Sequence, residues 1–262
     1  MILDPINSIT SIQFYKKVAG QTLGRTLIYL AYLGALFAIV FLVFLKTQVW
    51  PSLEGTFQWL ETSVPTITYS KGRLSTPTNE KVTVRHPKVN EVAFTIDTSR
   101  SEPVTTQMMA DEKVWAYVTS NAVYLLEPGP QVEALDFSKV SSAETLVLDA
   151  KFYRESARAL RPVLYPLGFL AAFMLFSAWT LATALFYSLF ALLINGLAEA
   201  CLAYKALFNI SVYAQTLVIT VQCILLLIPA QVPQFTLLAT VSTTAYLWLA
   251  IKKNAPPQLQ AA

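Results

Sequence analysis

The chain has 262 residues, of which 55% are hydrophobic and only 13% charged, against about a quarter charged in a typical soluble domain. Residues 46–162 carry 13 of the 19 Lys/Arg and 14 of the 16 Asp/Glu, so the rest of the sequence is almost without ionic groups. That segregation excludes an ordinary soluble globule, whose surface needs charge along its whole length, and no nucleic-acid partner is expected.

The pattern points to a membrane α-helical bundle of four transmembrane helices with an inserted β-rich extracytoplasmic domain. Residues 1–25 read as a cytoplasmic or interfacial segment. Asp4-Pro5 is a helix start. Phe14, Tyr15, Lys16 and Lys17 suit a membrane interface, with Lys16 and Lys17 as candidate contacts to lipid headgroups. Residues 26–45 are twenty positions without charge, the length that about 30 Å of hydrocarbon requires. Bulky Phe44-Leu45-Lys46 follows this stretch, so it reads as a retained anchor rather than a cleaved signal. Ala31, Gly34, Ala35 and Ala38 give it a small-residue face that permits close helix packing.

Residues 46–162 form the extracytoplasmic domain. A short helix is expected over 56–62. Strands are expected over 66–69, 81–85, 92–97, 114–118, 122–126 and 144–149, where β-branched and aromatic residues run between turn signals. Those signals are Ser70-Lys71-Gly72-Arg73, Pro87-Lys88-Val89-Asn90 and Glu127-Pro128-Gly129-Pro130, with Thr119-Ser120-Asn121 as a hairpin turn. The single histidine, His86, reads as an exposed turn residue. Glu102, Asp111 and Glu112 read as a solvated face, and Asp97 as the start of an Asx-type turn. In a helix over 152–161, Arg154, Arg158 and Arg161 recur at i, i+4 and i+7 and share one face. That face either grips lipid phosphates or pairs with acids of the domain.

The second span covers 163–194. Residues 195–211 are expected to form a cytoplasmic interfacial segment, with Asn195-Gly196 stopping the preceding helix, an amphipathic stretch over 197–208, and Asn209 or Ser211 capping the next span. Spans three and four cover 212–228 and 235–251, joined by an uncharged turn over 229–234, and 252–262 is a cytoplasmic tail. Gln215 and Gln222 share a face of span three, while Thr236, Thr240, Thr243 and Thr244 share a face of span four. Hydrogen bonding between helices is the ordinary use of such groups, and a polar substrate path is the sharper one. Cys201 and Cys223 read as apolar packing. No span contains Asp, Glu, Lys, Arg or His, which argues against ion-coupled transport.

Several stretches resemble a bacterial family of integral membrane proteins of unknown function. They are Phe14-Tyr15-Lys16-Lys17, Leu23-Gly24-Arg25-Thr26, Ile67-Thr68-Tyr69-Ser70-Lys71-Gly72-Arg73-Leu74, residues 94–98, and Tyr204–Ala214. Some members of that family are labelled maltodextrin-utilisation proteins, and the last spans are similar to the Yip-type membrane domain. The resemblance implies a β-rich extracytoplasmic insert and carries no catalytic residue.

No catalytic, cofactor or metal motif is present, so the chain reads as non-enzymatic and without a cofactor. The expected role is an accessory protein of the inner (cytoplasmic) membrane, multi-pass with both termini cytoplasmic: a scaffold, assembly factor or modulator of a membrane complex. Its partners would be the lipid bilayer and either other membrane proteins or further copies of itself. An envelope sensor that binds a ligand through 46–162 and an oligomeric channel or transporter component are the alternatives.

Overall fold

A computed structural model describes residues 2–87, 93–126, 132–137, 145–228, 230 and 232–256. It divides into two compact units, Met1–Val49 with Val163–Ala262, and Trp50–Pro162. The turn signals expected at Pro87–Asn90 and Glu127–Pro130 fall almost wholly outside the described residues, as do Val92, Glu144 and Pro229.

Four helices are long and apolar enough to cross a membrane: Leu23–Ser63, Ala150–Leu197, Tyr204–Leu227 and Phe235–Asn254. The first does not stop at residue 45. It consists of α3 (Leu23–Phe44), one π-helical turn (Leu45–Val49) and α4 (Trp50–Ser63). Lys46-Thr47-Gln48-Val49 contains no helix breaker, so the apolar stretch runs on into the segment expected to hold only a short helix at 56–62. The wide turn sits just before Pro51, whose ring needs room and which cannot bond back to Thr47. The helix expected over 152–161 and the second span are likewise one 48-residue element, α6 (Ala150–Leu197). It continues through Pro162 and Pro166, each of which lacks the N–H that would bond back one turn.

In the first unit α1 (Asp4–Thr10) and α2 (Phe14–Ala19) precede α3. After α6 come α7 (Tyr204–Ala214), α8 (Thr216–Leu227) and α9 (Phe235–Asn254). α3 packs on α8, and α7 packs on α2, α3 and α9. Every residue of α7 from Ala206 to Ala214 is buried, so this segment is core and not an amphipathic helix lying on a surface. Its N-terminus has no side-chain cap. Asn209 and Ser211, expected to cap a helix starting at 212, lie inside α7 and bond elsewhere. α3 and α6 approach closely at two glycines. Gly34 faces Phe173 and Ser177, Gly168 faces Phe41 and Leu45, and Phe37 stacks on Phe176 at 3.8 Å.

The second unit holds two sheets. In the smaller one β1 (Ile67–Ser70) is central, antiparallel to β2 (Arg73–Ser75) and to β8 (Leu146–Leu148). Lys71 and Gly72 in the β1–β2 turn both have positive φ (51° and 76°), the backbone that lets a two-residue loop follow the strand twist. The larger sheet runs β3 (Val82–Arg85), β4 (Ala93–Ile96), β5 (Ala116–Val118), β6 (Ala122–Leu126) and β7 (Val132–Asp136). β4 and β5 are parallel, connected through α5 (Thr106–Glu112), while the Thr119–Asn121 turn joins β5 and β6 as a hairpin. β2, β7 and α5 were not expected from the sequence. β7 is exposed along most of its length, so its pattern shows little alternation. Ile67, Leu74, Val84 and Ile96 form one core cluster, and Ala93, Met109, Val114 and Tyr117 anchor another.

Candidate functional site

Three groupings of polar side chains are built into the described residues. The first lies in the apolar helices, where a cavity of about 160 Å³ opens between α6, α8 and α9. Five of the six polar residues singled out in spans three and four line it, Gln215, Gln222, Thr236, Thr240 and Thr243, while Thr244 does not. Thr180 and Thr183 of α6 join them. Thr183 donates to the Gln215 Oε1 at 2.6 Å, which ties α6 to the α7–α8 junction. Thr240 and Thr180 instead bond to carbonyls one turn back on their own helices. None of the lining residues is Asp, Glu, Lys, Arg or His, and Tyr187 adds a phenol to the wall. The cavity therefore offers hydroxyls and amides to a polar guest and no fixed charge.

The second grouping is a buried network that closes the N-terminal segment onto α7. Asn209, fully buried, accepts from Thr26 Oγ1 at 2.8 Å and donates to the Gln21 carbonyl at 3.0 Å and the Val18 carbonyl at 3.4 Å. Tyr213 donates to Gln21 Oε1 at 3.0 Å, and its ring stacks on Tyr29 at 3.9 Å. Tyr15 donates to the Ser8 carbonyl at 3.0 Å, and burial, reinforced by Tyr29 and Tyr246, pushes its phenol far above the ordinary range. α1 turns its polar side inward. Asp4 is 5% exposed and stands 3.7 Å from Arg25, whereas Ile2, Leu3 and Ile6 are 57–79% exposed. The sequence marked Asp4 as a helix start, and its burial had no local signal because its cover comes from elements distant in the chain.

The third grouping lies in the second unit. A cleft of about 410 Å³ separates α4 from the start of α6. Trp50, Glu54 and Glu61 on one wall face Arg154, Arg158 and Arg161 on the other. Arg154 pairs with Glu61 through both Nε and Nη2, so one of the three arginines does pair with an acid of its own unit. The Arg161 guanidinium lies over the Trp50 ring, 5.4 Å from its centroid.

Other expected residues find structural work. Gly34 and Ala38 are buried, Ala31 and Ala35 half-buried, and Lys16 and Lys17 exposed. His86 is half-buried, its ring edge-on to Trp59 at 4.7 Å, rather than an exposed turn residue. Asp97 accepts from the Ser99 and Tyr117 hydroxyls in place of the backbone groups of an Asx turn. Glu112 belongs to no solvated face. It takes bonds from Lys81 Nζ at 2.6 Å and Thr95 Oγ1 at 3.0 Å, while its carbonyl accepts from Arg85. Among the described residues no cluster of His, Cys, Asp or Glu has the arrangement to hold a metal ion.

A family model matches residues 6–251, nearly the whole chain. The protein belongs to DUF1189, a family of unknown function. No curated protein and no solved structure matches it. In this DUF1189 chain three of the five stretches that carried the resemblance meet in space: Tyr15, Arg25 and Thr26 surround Asn209 and Tyr213 in the second grouping, while 67–74 and 94–98 belong to the second unit. The sequence showed the pieces and missed the knot, because bonds spanning some 190 residues leave no local spacing. Thr180 and Thr183 were missed for a simpler reason. They sit as one Thr180-Leu181-Ala182-Thr183 step in a long apolar span, without the repeated threonines that mark span four.

Proposed function

We propose that this DUF1189 member is a non-enzymatic accessory protein of the inner membrane, a scaffold, assembly factor or modulator that engages another membrane protein through the cavity between α6, α8 and α9. The four apolar helices cross the bilayer in this reading, with both termini cytoplasmic and residues 46–162 outside. What supports it is the size and chemistry of the cavity. At about 160 Å³ it falls below the roughly 300–1,000 Å³ of sites that enclose whole small molecules. It can take one polar side chain. Uncharged hydroxyl and amide walls suit a hydrogen-bonding residue of a partner helix, where such contacts are worth on the order of 1 kcal/mol in lipid. A coupling ion would call for an ionisable wall. The family label of maltodextrin utilisation finds no residue to attach to and plays no part.

The test is a photo-crosslinking residue placed at Ala239, on the cavity wall, in cells producing the full chain. Recurrent adducts to one heterologous membrane protein, lost when Gln222 is changed to Leu, are the expected result. Adducts to lipid alone would overturn the reading, and adducts to a second copy of the chain would replace the heterologous partner by self-association. A sensor that takes a ligand through the external domain is the second reading, favoured by the larger cleft between α4 and α6.

A further inference from the structure

We propose that the cleft between α4 and the start of α6 binds a phosphate ester through Arg158 and Arg161, the ester being either a phospholipid headgroup or a free phosphorylated compound. The inference is independent of the cavity in the first unit; only the lipid source rests on the membrane reading.

The balance of charge in the cleft carries it. Three guanidinium groups face two carboxylates, and Glu61 is taken up by Arg154. The Arg158 guanidinium has no ion pair or hydrogen bond to any described residue, and no described carboxylate lies within ion-pair distance of Arg161. Spacing of i, i+3 on one helix face keeps these two cations together. Two like charges converging on one cleft repel, and a bound anion removes that repulsion.

Geometry narrows the anion. Arg161 lies over the face of Trp50, and stacking through the face leaves the N–H edge of the guanidinium free to donate. An edge of this kind matches two oxygens of a phosphate at once. The volume of about 410 Å³ exceeds what a bare inorganic ion fills and lies in the range of small-molecule sites. Glu54, on the opposite wall, can accept from hydroxyl groups of the ester's alcohol. Trp50 and Arg161 are also the residue types that gather at a membrane interface. They stand at the two chain positions where the apolar stretches give way to the charged block.

Full-length protein purified in mild detergent and stripped of lipid tests the site by calorimetric titration. Short-chain phosphatidylglycerol is one probe and glycerol phosphate the other, with inorganic phosphate as competitor. Saturable binding is expected, weakened about tenfold or more in Arg158→Gln and in Arg161→Gln, and partly restored in Arg158→Lys, which keeps charge but loses the planar fork. Both arginines are exposed, so thermal unfolding of the variants should match the parent and separate lost binding from lost fold. Binding of the lipid without the glycerol phosphate assigns a headgroup site, and binding of both assigns a soluble ester. Binding of neither, or equal binding by the parent and both glutamine variants, would overturn the proposal.

Discussion

Asn209 has three partners on two other segments and no access to water, so its side chain cannot be exchanged quietly. Replacing it by Leu strands the Gln21 carbonyl and the Thr26 hydroxyl, and each stranded group costs about 1–3 kcal/mol. The midpoint of thermal unfolding in detergent should fall sharply for Asn209→Leu. It should fall for Asn209→Asp as well, because a carboxylate cannot donate to the Gln21 and Val18 carbonyls. An unchanged midpoint in both would show that the network is ornamental. Lys81 offers a milder test in the second unit. Its bond to Glu112 raises the Lys81 pKa above the ordinary 10.5. A raised lysine pKa means that the stabilisation is fully present below about pH 10.5 and is lost as pH climbs through the folded value. Lys81 is 45% exposed, so solvent screening holds the effect below about 1 kcal/mol. Lys81→Met should be slightly less stable than the parent at pH 7, with the gap closing in urea titrations above pH 10.5.

At the scale of elements, α3 and α6 meet where a side chain on Gly34 would collide with the Ser177 hydroxyl. Ser177 is half-buried, but its hydroxyl oxygen is shut off from solvent and has no hydrogen-bond partner among the described residues. Gly34→Ala should therefore destabilise the pair by about 1–3 kcal/mol, as overpacking does, and Ser177→Ala alone should be neutral or mildly stabilising. Combining the two should recover most of the loss, a coupling that a double-mutant cycle measures directly. Independent, additive effects would mean the helices do not touch there. Helix existence was legible in the sequence because apolar length is a composition property, and Gly34 was legible through its small neighbours. Helix ends were not. The residues after Leu45 tolerate a helix as well as a loop, and Pro162 looked like a boundary although a long helix can run through it. α7 was misread for a physical reason too. Asn209 and Ser211 bond inside the bundle, whereas the sequence pattern made them caps of a span starting at 212 and laid 197–208 along the interface. The strands with clear β-branched runs were legible, and β7, open to solvent along most of its length, was not.

For the molecule as a whole, the proposed topology places Lys113, at the end of α5, outside the cell and Lys252 and Lys253, at the end of α9, inside. A membrane-impermeant amine reagent applied to intact cells should label Lys113 and spare the two C-terminal lysines until the cells are opened. Reversed labelling would invert the topology while leaving the fold intact. The Asn209 knot sets a further condition, one of timing. Gln21 and Thr26 leave the ribosome early, yet their partners lie 183–192 positions later in the chain. Throughout synthesis of the first four-fifths of the protein, the N-terminal helices lack α7, α8 and α9, the elements they pack on most. A nascent chain arrested before Tyr204 should thus have its first twenty-odd residues trimmed by protease, and release of the finished chain should make them resistant.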